Sequence, residues 1–593
     1  MMALRRARLR LLAAQEGVAM IMVIGIGSVM TLMIVGAVAM ALGTMNKSKD
    51  DQDWNAALAA AYAAIEEYQS RLSEEPAYVK YGNPASTFSS PTLVQLPTAA
   101  KVNPAFGVGA SGTWADVKEA VTNKVLFSYR YEVDNSKYST TGTIRLRATG
   151  RVGTETRSII ADVRQTGFID YMWFTDYEMS DPTIVDQGCD TVHAWEDPSE
   201  RASCTIQFAA FDTLSGPVHS NDTIVICGAH FKSTVTTGRP TGGYSKPSGC
   251  SNGVFDAGQP VYSPYIEMPD TNTQLIKETR SDLISSDVPR PGCLYTGPTK
   301  ITLQSGGMMN VRSPWTKATN IVGDPATSGN NTYAAQCGSI TALQSAAGAT
   351  IPVLQNNLLY VQNIPLTGVN SATAAATTTT GSNTRCKNLA GTSLTSDSGV
   401  SQNVVGYPAN NLRGVAANDE KPLIAGTGTG ASYGCRNGDL FISGTLTGGA
   451  MTVAAQNYVY VTDNITYGNS DTDMLGIIGQ NSVWVYNPVT NGNAIILPDN
   501  REIDAAILSL EHSFAVQNYT ITSLGTLTVK GSIALKYRGI VGTGSNGYAK
   551  NYLYDPRYKY TAPPKFLSPV TTTYGINVWV EISPVFNTNG TYR

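Results

Sequence analysis

The chain has 593 residues, enough for several domains and a large core, so it is no disulfide mini-protein. Lys and Arg number 42 against 45 Asp and Glu, a net charge of −3, and 15% of residues are charged, which excludes the basic footprint of a nucleic-acid binder. With 56 glycines, long Thr/Ser/Asn stretches and only 4 histidines, the composition favours a turn-rich extracellular β protein over a cytosolic helical enzyme and leaves little room for histidine chemistry.

No charged residue occurs between Glu16 and Lys47, and the run Gly17 to Asn46 is about 45 Å long as helix, against a hydrocarbon core of about 30 Å. It is long enough to span a membrane and too long for the apolar region of a signal peptide, about 7–15 residues. Arg5, Arg6, Arg8 and Arg10 precede it, and the positive-inside rule places them in the cytoplasm and everything after Lys47 outside. Beyond Lys47, Trp54, Leu58, Ala61, Ile65, Tyr68 and Leu72 recur at helical spacing, so the helix continues as an amphipathic one until Pro76.

A basic leader, then Gly17-Val18-Ala19-Met20-Ile21, an apolar helix and an Ala-rich amphipathic extension resemble the type IV pilin superfamily, specifically the PilX-type minor pilins, over residues 5 to 75. The resemblance implies a leader of residues 1–17, cut by a prepilin peptidase after Gly17 to leave Val18 as the new N-terminus, and a helix spanning 18–75. It also implies that the helix packs among other pilin subunits, where Met22 stands at the fifth mature position that carries a glutamate in most major pilins; this fits a minor subunit. Small residues at Gly36, Ala39 and Gly43 would allow close helix approach. A plain membrane anchor is the competing reading.

Residues 77 to 123 read as loop with one short helix near Ala115 to Val121. Period-two patterns follow at Phe127 to Val133, Ile144 to Ala148 and Ile159 to Val163, with Gly153-Thr154 as a hairpin turn, so a small antiparallel head is expected over 76–168. From residue 169 short strands dominate. Gln456-Asn457-Tyr458-Val459-Tyr460-Val461 recurs as Gln480-Asn481-Ser482-Val483-Trp484-Val485, a period of about 24 that suits the rung of a β-solenoid, a parallel β-helix. Looser copies begin at Gln355, Gln402 and Gln517. A β-sandwich with chance Gln-Asn pairs is the alternative. The solenoid is expected over 169–547, with a low-complexity insertion at 366–400, and the Tyr/Pro-rich stretch in 548–593 is expected to cap its open end. Segments 170–181, 216–228 and 538–570 also look like those of large PilX-type envelope proteins.

All eight cysteines follow the apolar run, and an even count outside the cell reads as disulfides. Sequence-local pairing favours Cys189 with Cys204, Cys227 with Cys250, Cys293 with Cys337, and Cys386 with Cys435. No Cys-x-x-Cys step suggests zinc. The glycine triplets Gly107/Gly109/Gly112 and Gly542/Gly544/Gly547 read as loops because neither follows a strand and opens a helix. His219 with Asp222 and His512 with Glu511 lack the third partner of a catalytic set. The acidic residues Asp170, Asp176, Glu178 and Asp181 read as solvated or Arg-paired, with Asp176 and Glu178, and separately Asp471 and Asp473, as weak calcium candidates; otherwise no cofactor is expected.

The expected protein is therefore non-enzymatic. It is a minor, tip-placed subunit of a type IV pilus-like filament, structural and adhesive, held in the cytoplasmic membrane before assembly and then displayed at the cell surface. Its expected partners are other pilins, the prepilin peptidase, the membrane, and surface glycans or a host or abiotic surface. Two alternatives remain: a surface-anchored β-helical carbohydrate-binding or carbohydrate-active protein, and a static envelope protein with an uncleaved anchor.

Overall fold

The computed structural model describes residues 15–98, 102–107, 113–138, 143–165, 167–182, 190–197, 204–283, 291–323, 334–365, 370, 386–387, 393–394, 405–407, 437–488, 495, 497, 499–569 and 574–593. The chain divides into two units: residues 1–136, 144–163 and 578–593 form one, and residues 137–143 and 164–577 the other.

The first unit is built on one helix, Gln15–Glu74. It stops before Pro76, which lacks an N–H and pushes Glu75 into an extended conformation (φ −141°, ψ 96°). Ala57, Ala60, Ala61, Ala64, Ile65, Tyr68 and Leu72 form its buried stripe, while Trp54 sits at the margin under the Arg157 guanidinium, 4.9 Å from the ring centroid. The stripe faces a five-stranded sheet ordered Ala115–Lys118, Val125–Asp134, Thr143–Val152, Glu155–Gln165, Tyr574–Ile582. Tyr131, Val133, Leu146 and Ala148 supply the inward positions. Gly150 lets the helix come close, since a Cβ there would lie 2.1 Å from the Ala57 carbonyl oxygen and 2.4 Å from the Ala61 nitrogen.

Two elements differ from the sequence reading. Ala115–Lys118 is an edge strand, not a helix, in register with the next strand (Ala115 opposite Tyr129). The turn that brings it there holds Asn123 at φ 55°, and that pairing supplies the backbone hydrogen bonds a helix would have made internally. Tyr574–Ile582, assigned to a cap, is the fifth strand of this sheet, and Val585 beyond it donates its N–H to Ser158. Its alternation of Ile576, Val578 and Val580 with Asn, Trp and Glu is strand patterning.

The second unit consists of parallel ladders. One runs through Cys293–Thr296, Asn357–Gln362, Ala450–Ala455, Met474–Gly479, Arg501–Ser509, Ser523–Tyr537, Trp173–Tyr177, Val218–Ser220, Val235–Thr237 and Val261–Tyr262. A second joins Thr299–Gln304, Leu440–Leu446, Val459–Tyr467, Val483–Val485 and Phe514–Val516. The repeat found in the sequence is a true ladder register, with Val459 opposite Val483, Tyr460 opposite Trp484 and Val461 opposite Val485. Asn481 donates its side-chain N–H to the Asn457 side chain directly along the ladder, and Asn457 donates to Asp439 at 2.6 Å. Inward columns such as Leu359, Val453, Ile477, Ile507, Ile533 and Trp173 merge into one continuous core.

The ladders do not follow chain order. The run 164–262 builds outward from Trp173–Tyr177, the segment 263–283 then crosses the outer face of the first ladder, and a new run begins at Cys293 and winds back. The crossing segment is pinned by Asn221, which exchanges hydrogen bonds with Ile266, and by Gln480 and Asn272, which bond to each other and to backbone at Asp270 and Ala455. Met268, Leu275 and Ile276 cover Phe174, Leu294, Tyr360 and Ile478. The returning run meets the first where Ser523–Tyr537 pairs with Trp173–Tyr177. Consequently Gly547–Tyr554, expected in a cap, is an interior strand, paired with Ser523–Tyr537 on one edge and Thr213–Ser215 on the other. Its Tyr548 and Tyr552 point inward, which is why a Tyr-rich sequence fits there.

Two disulfides join Cys227 to Cys250 and Cys293 to Cys337, with Cα atoms 4.8 and 5.5 Å apart. Cys204 is also disulfide-bonded. Cys189 and Cys435 lie outside the described residues, as do the side chain of Cys386 and most of the 366–400 insertion.

Two consequences are measurable. Gly150→Val should cost about 1–3 kcal/mol of helix-to-sheet packing and open residues 57–72 to limited proteolysis, with wild-type protection showing that the close approach is absent. Cys293→Ser should lower stability by about 2–4 kcal/mol, read as a lower thermal midpoint than wild type under non-reducing conditions and no difference under reducing ones.

Candidate functional site: the exposed helix and an acidic aromatic cleft

Two features offer themselves to partners. The first is the helix from Met20 to Met45, whose large side chains are all exposed, Met22 at 65%. The helix is long and apolar enough to cross a membrane, and none of its apolar window is buried within the chain. Gly17 and Val18 lie in its first turns. Gly36 and Gly43 have open space where a Cβ would stand, and Ala39 is exposed, so this face is free for another helix to approach.

The second lies in the other unit, where the strand Trp173–Tyr177 delivers the acidic set. Asp170 meets the Arg164 guanidinium and accepts from the Gly167 N–H at 2.6 Å, while burial raises its pKa against Arg164's pull. Asp176 accepts from Asn221 Nδ2 at 2.9 Å and lies 3.4 Å from His193 Nε2. Glu178 is fully buried, bonded to Thr175 and 3.3 Å from Arg538. Asp181 holds His512 Nδ1 at 2.5 Å. The calcium candidates therefore do not form one site. Asp176 and Glu178 turn to different partners, and Asp473 accepts three backbone N–H groups, from Gly448, Gly449 and Asn469, beside an exposed Asp471. No group of three or more metal-ligating side chains occurs among the described residues.

Around Asp176 the surface opens into a cleft of about 430 Å³, lined by Tyr177, Tyr265, Glu267, Asp270, Glu511, His512, Lys536 and Tyr537. In one wall Tyr537 stacks on Tyr177 (5.5 Å), and behind the lining the stack continues from Tyr177 to His193 (4.5 Å) and from His193 to Trp195 (5.5 Å), with interplanar angles of 10–23°. Burial raises the Tyr177 phenol to about 12 and raises those of Tyr265 and Tyr537 as well, so all three remain neutral hydroxyls at physiological pH. Burial lowers the His193 pKa, but Asp176, Asp222 and Glu196 outweigh it and leave a net upward shift. The wall thus pairs hydroxyl donors with carboxylate acceptors, an arrangement suited to recognition.

The histidines noted in the sequence have structural partners. His219 lies between the Tyr171 and Phe174 rings, with Thr236 on Nδ1 and Asn221 on Nε2, and Asp222 turns instead to the N–H groups of Glu178 and Ala194. Burial lowers the His219 pKa to about 4. Gly542 and Gly547 bridge in a turn, while Gly109 and Gly112 lie outside the described residues. Sequence reasoning missed the aromatic stack, because Tyr177 and Tyr537 are neighbours only through the ladder register.

No family model matches the chain, and no curated protein matches it. Among solved structures it is similar to the competence-associated pilin ComZ from Thermus thermophilus, at 11% identity over 89% of this chain and 97% of that one, with a TM-score of 0.25.

His219 makes stability pH-dependent in a defined direction. Its folded pKa lies below the unfolded value of 6.5, so its contribution is complete above pH 6.5 and is lost as pH falls toward 4. The loss should be on the order of 3 kcal/mol. His219→Gln should flatten the denaturant midpoint against pH in that window, and an unchanged slope would refute the assignment.

Proposed function

We propose that this chain is a minor, tip-placed subunit of a type IV pilus-like filament, with a structural and adhesive role and no catalytic one. The observation that carries this reading is a single helix of two halves, the first apolar and exposed throughout, the second buried against a sheet of its own unit. An exposed apolar surface of that extent needs a bilayer or other helices to cover it. The pilin-like motif at Gly17-Val18 supplies the rest of the argument: a prepilin peptidase would cut there, releasing the subunit from the cytoplasmic membrane into a bundle of pilin helices.

In this reading the parallel ladders form a β-solenoid, a stiff head too bulky to tile a shaft and therefore carried at the tip. The acidic aromatic cleft would be its contact with a surface glycan. That cleft also supports a second reading, a carbohydrate-binding protein held at the surface by an uncleaved anchor.

N-terminal sequencing of protein from sheared filaments separates them. A start at Val18 is the expected result, and Gly17→Leu should keep the leader attached, leave the protein in the membrane and remove it from filaments. An intact leader in wild-type cells with no filament signal would sink the pilin reading and leave the anchored one.

A further inference from the structure

The inward face of the second unit contains a lysine. Tyr548, Lys550 and Tyr552 share one side of the strand Gly547–Tyr554, and both tyrosines are buried in the core. The neighbouring strand brings Asp212 opposite, because Asn551 pairs with Thr213 in parallel register and Lys550 and Asp212 each stand one residue earlier. Lys550 Nζ lies 3.0 Å from Asp212 Oδ1 and 3.1 Å from Oδ2, with side-chain exposures of 14% and 2%. Two further buried charges complete the group. Arg538 is 3.3 Å from Glu178 and 3.9 Å from Asp212 Oδ2, and its guanidinium covers the Phe208 ring at 3.4 Å. Trp173 stacks on Tyr552 at 5.7 Å, on the same side of the strand as Lys550.

We propose that Lys550 and Asp212 condense into an intramolecular amide bond. Burying a lysine and an aspartate without water is costly even when they are paired, whereas the amide retains no charge and leaves Arg538 and Glu178 as a balanced pair. The geometry assigns each oxygen a role. Asp212 Oδ2 accepts from the Ala209 N–H at 2.9 Å and faces the Arg538 guanidinium at 3.9 Å, a donor and a positive charge placed to hold developing negative charge, so Oδ2 remains as the amide oxygen and Oδ1 departs. The Nζ lone pair forms the bond to Cγ as the Cγ–Oδ1 bond breaks. Of the three protons on the ammonium, one stays on the amide nitrogen and two leave with Oδ1 as water, so atoms and charge balance without an oxidant or co-reactant. Burial lowers the Lys550 pKa, favouring the free amine.

The bond would join the 164–262 run to the returning run at their seam. It does not rest on the pilin reading, since it needs only the folded second unit. The test is mass mapping of a tryptic digest of the full-length wild-type protein. Trypsin does not cut after an acylated lysine, so the peptide containing Lys550 should remain whole, joined to the peptide carrying Asp212 and lighter than their sum by one water. Lys550→Arg and Asp212→Ala should each lose the joined peptide. Cleavage after Lys550 with Asp212 unmodified, in folded wild-type protein, would overturn the proposal.

Discussion

The second unit depends on the junction of its two runs, where Ser523–Tyr537 pairs with Trp173–Tyr177 and Gly547–Tyr554 with Thr213–Ser215. Each strand in a parallel ladder is stabilised by the strand on either side, so a ladder assembled from two separate runs is only as continuous as the place where they meet. At this junction Ile533, Leu535 and Trp173 continue the inward column, and Ser532 donates to the carbonyls of Phe168 and Tyr171, fixing the register. A slip of one residue would turn every one of those side chains to the opposite face.

The same junction concentrates buried charge. Glu178, Arg538, Asp212 and Lys550 lie within it, and Asp176, Asp181, His193 and His512 lie at its margin. Two ladder ends cannot meet through apolar contact alone without also pairing equally well in shifted registers, because one Val/Ile column resembles the next. Charged partners at fixed positions penalise the shifted pairings more than they stabilise the correct one, which makes specificity the better explanation of their burial.

Legibility in the sequence follows from which forces are local. The long helix is readable because its charge-free run and its Ala57–Leu72 stripe are properties of one continuous segment, and Pro76 marks its end. The rung of Val459 and Val483 is readable because consecutive turns of the ladder lie about 24 residues apart, so the column appears as a repeat. The junction is not readable, since Tyr177 and Tyr537 meet only after the chain has crossed the outer face of the first ladder and returned. The edge strand Ala115–Lys118 and the strand Tyr574–Ile582 are missed for a related reason. Their conformation is decided by the partner strand they pair with, and in a short segment that outweighs local preference. The cleft inherits this limitation, because its aromatic wall combines residues from both runs.

A head built this way transmits load differently from an ordinary sheet domain. Force applied along the strands of a parallel ladder is shared by the many backbone hydrogen bonds between neighbours, whereas force applied across them can separate strands one at a time. The disulfides Cys227–Cys250 and Cys293–Cys337 close loops on the outgoing and the returning run respectively, and neither crosses the junction. Besides the Ser532 hydrogen bonds and the Tyr177–Tyr537 and Trp173–Tyr552 stacks, ion pairs cross it, above all Lys550 with Asp212 and Arg538 with Glu178. An ion pair yields under sustained force because water can replace each partner, and a covalent bond does not. Under load the junction is where mechanical resistance is most needed, and it is also where the chain places a buried amine against a buried carboxylate.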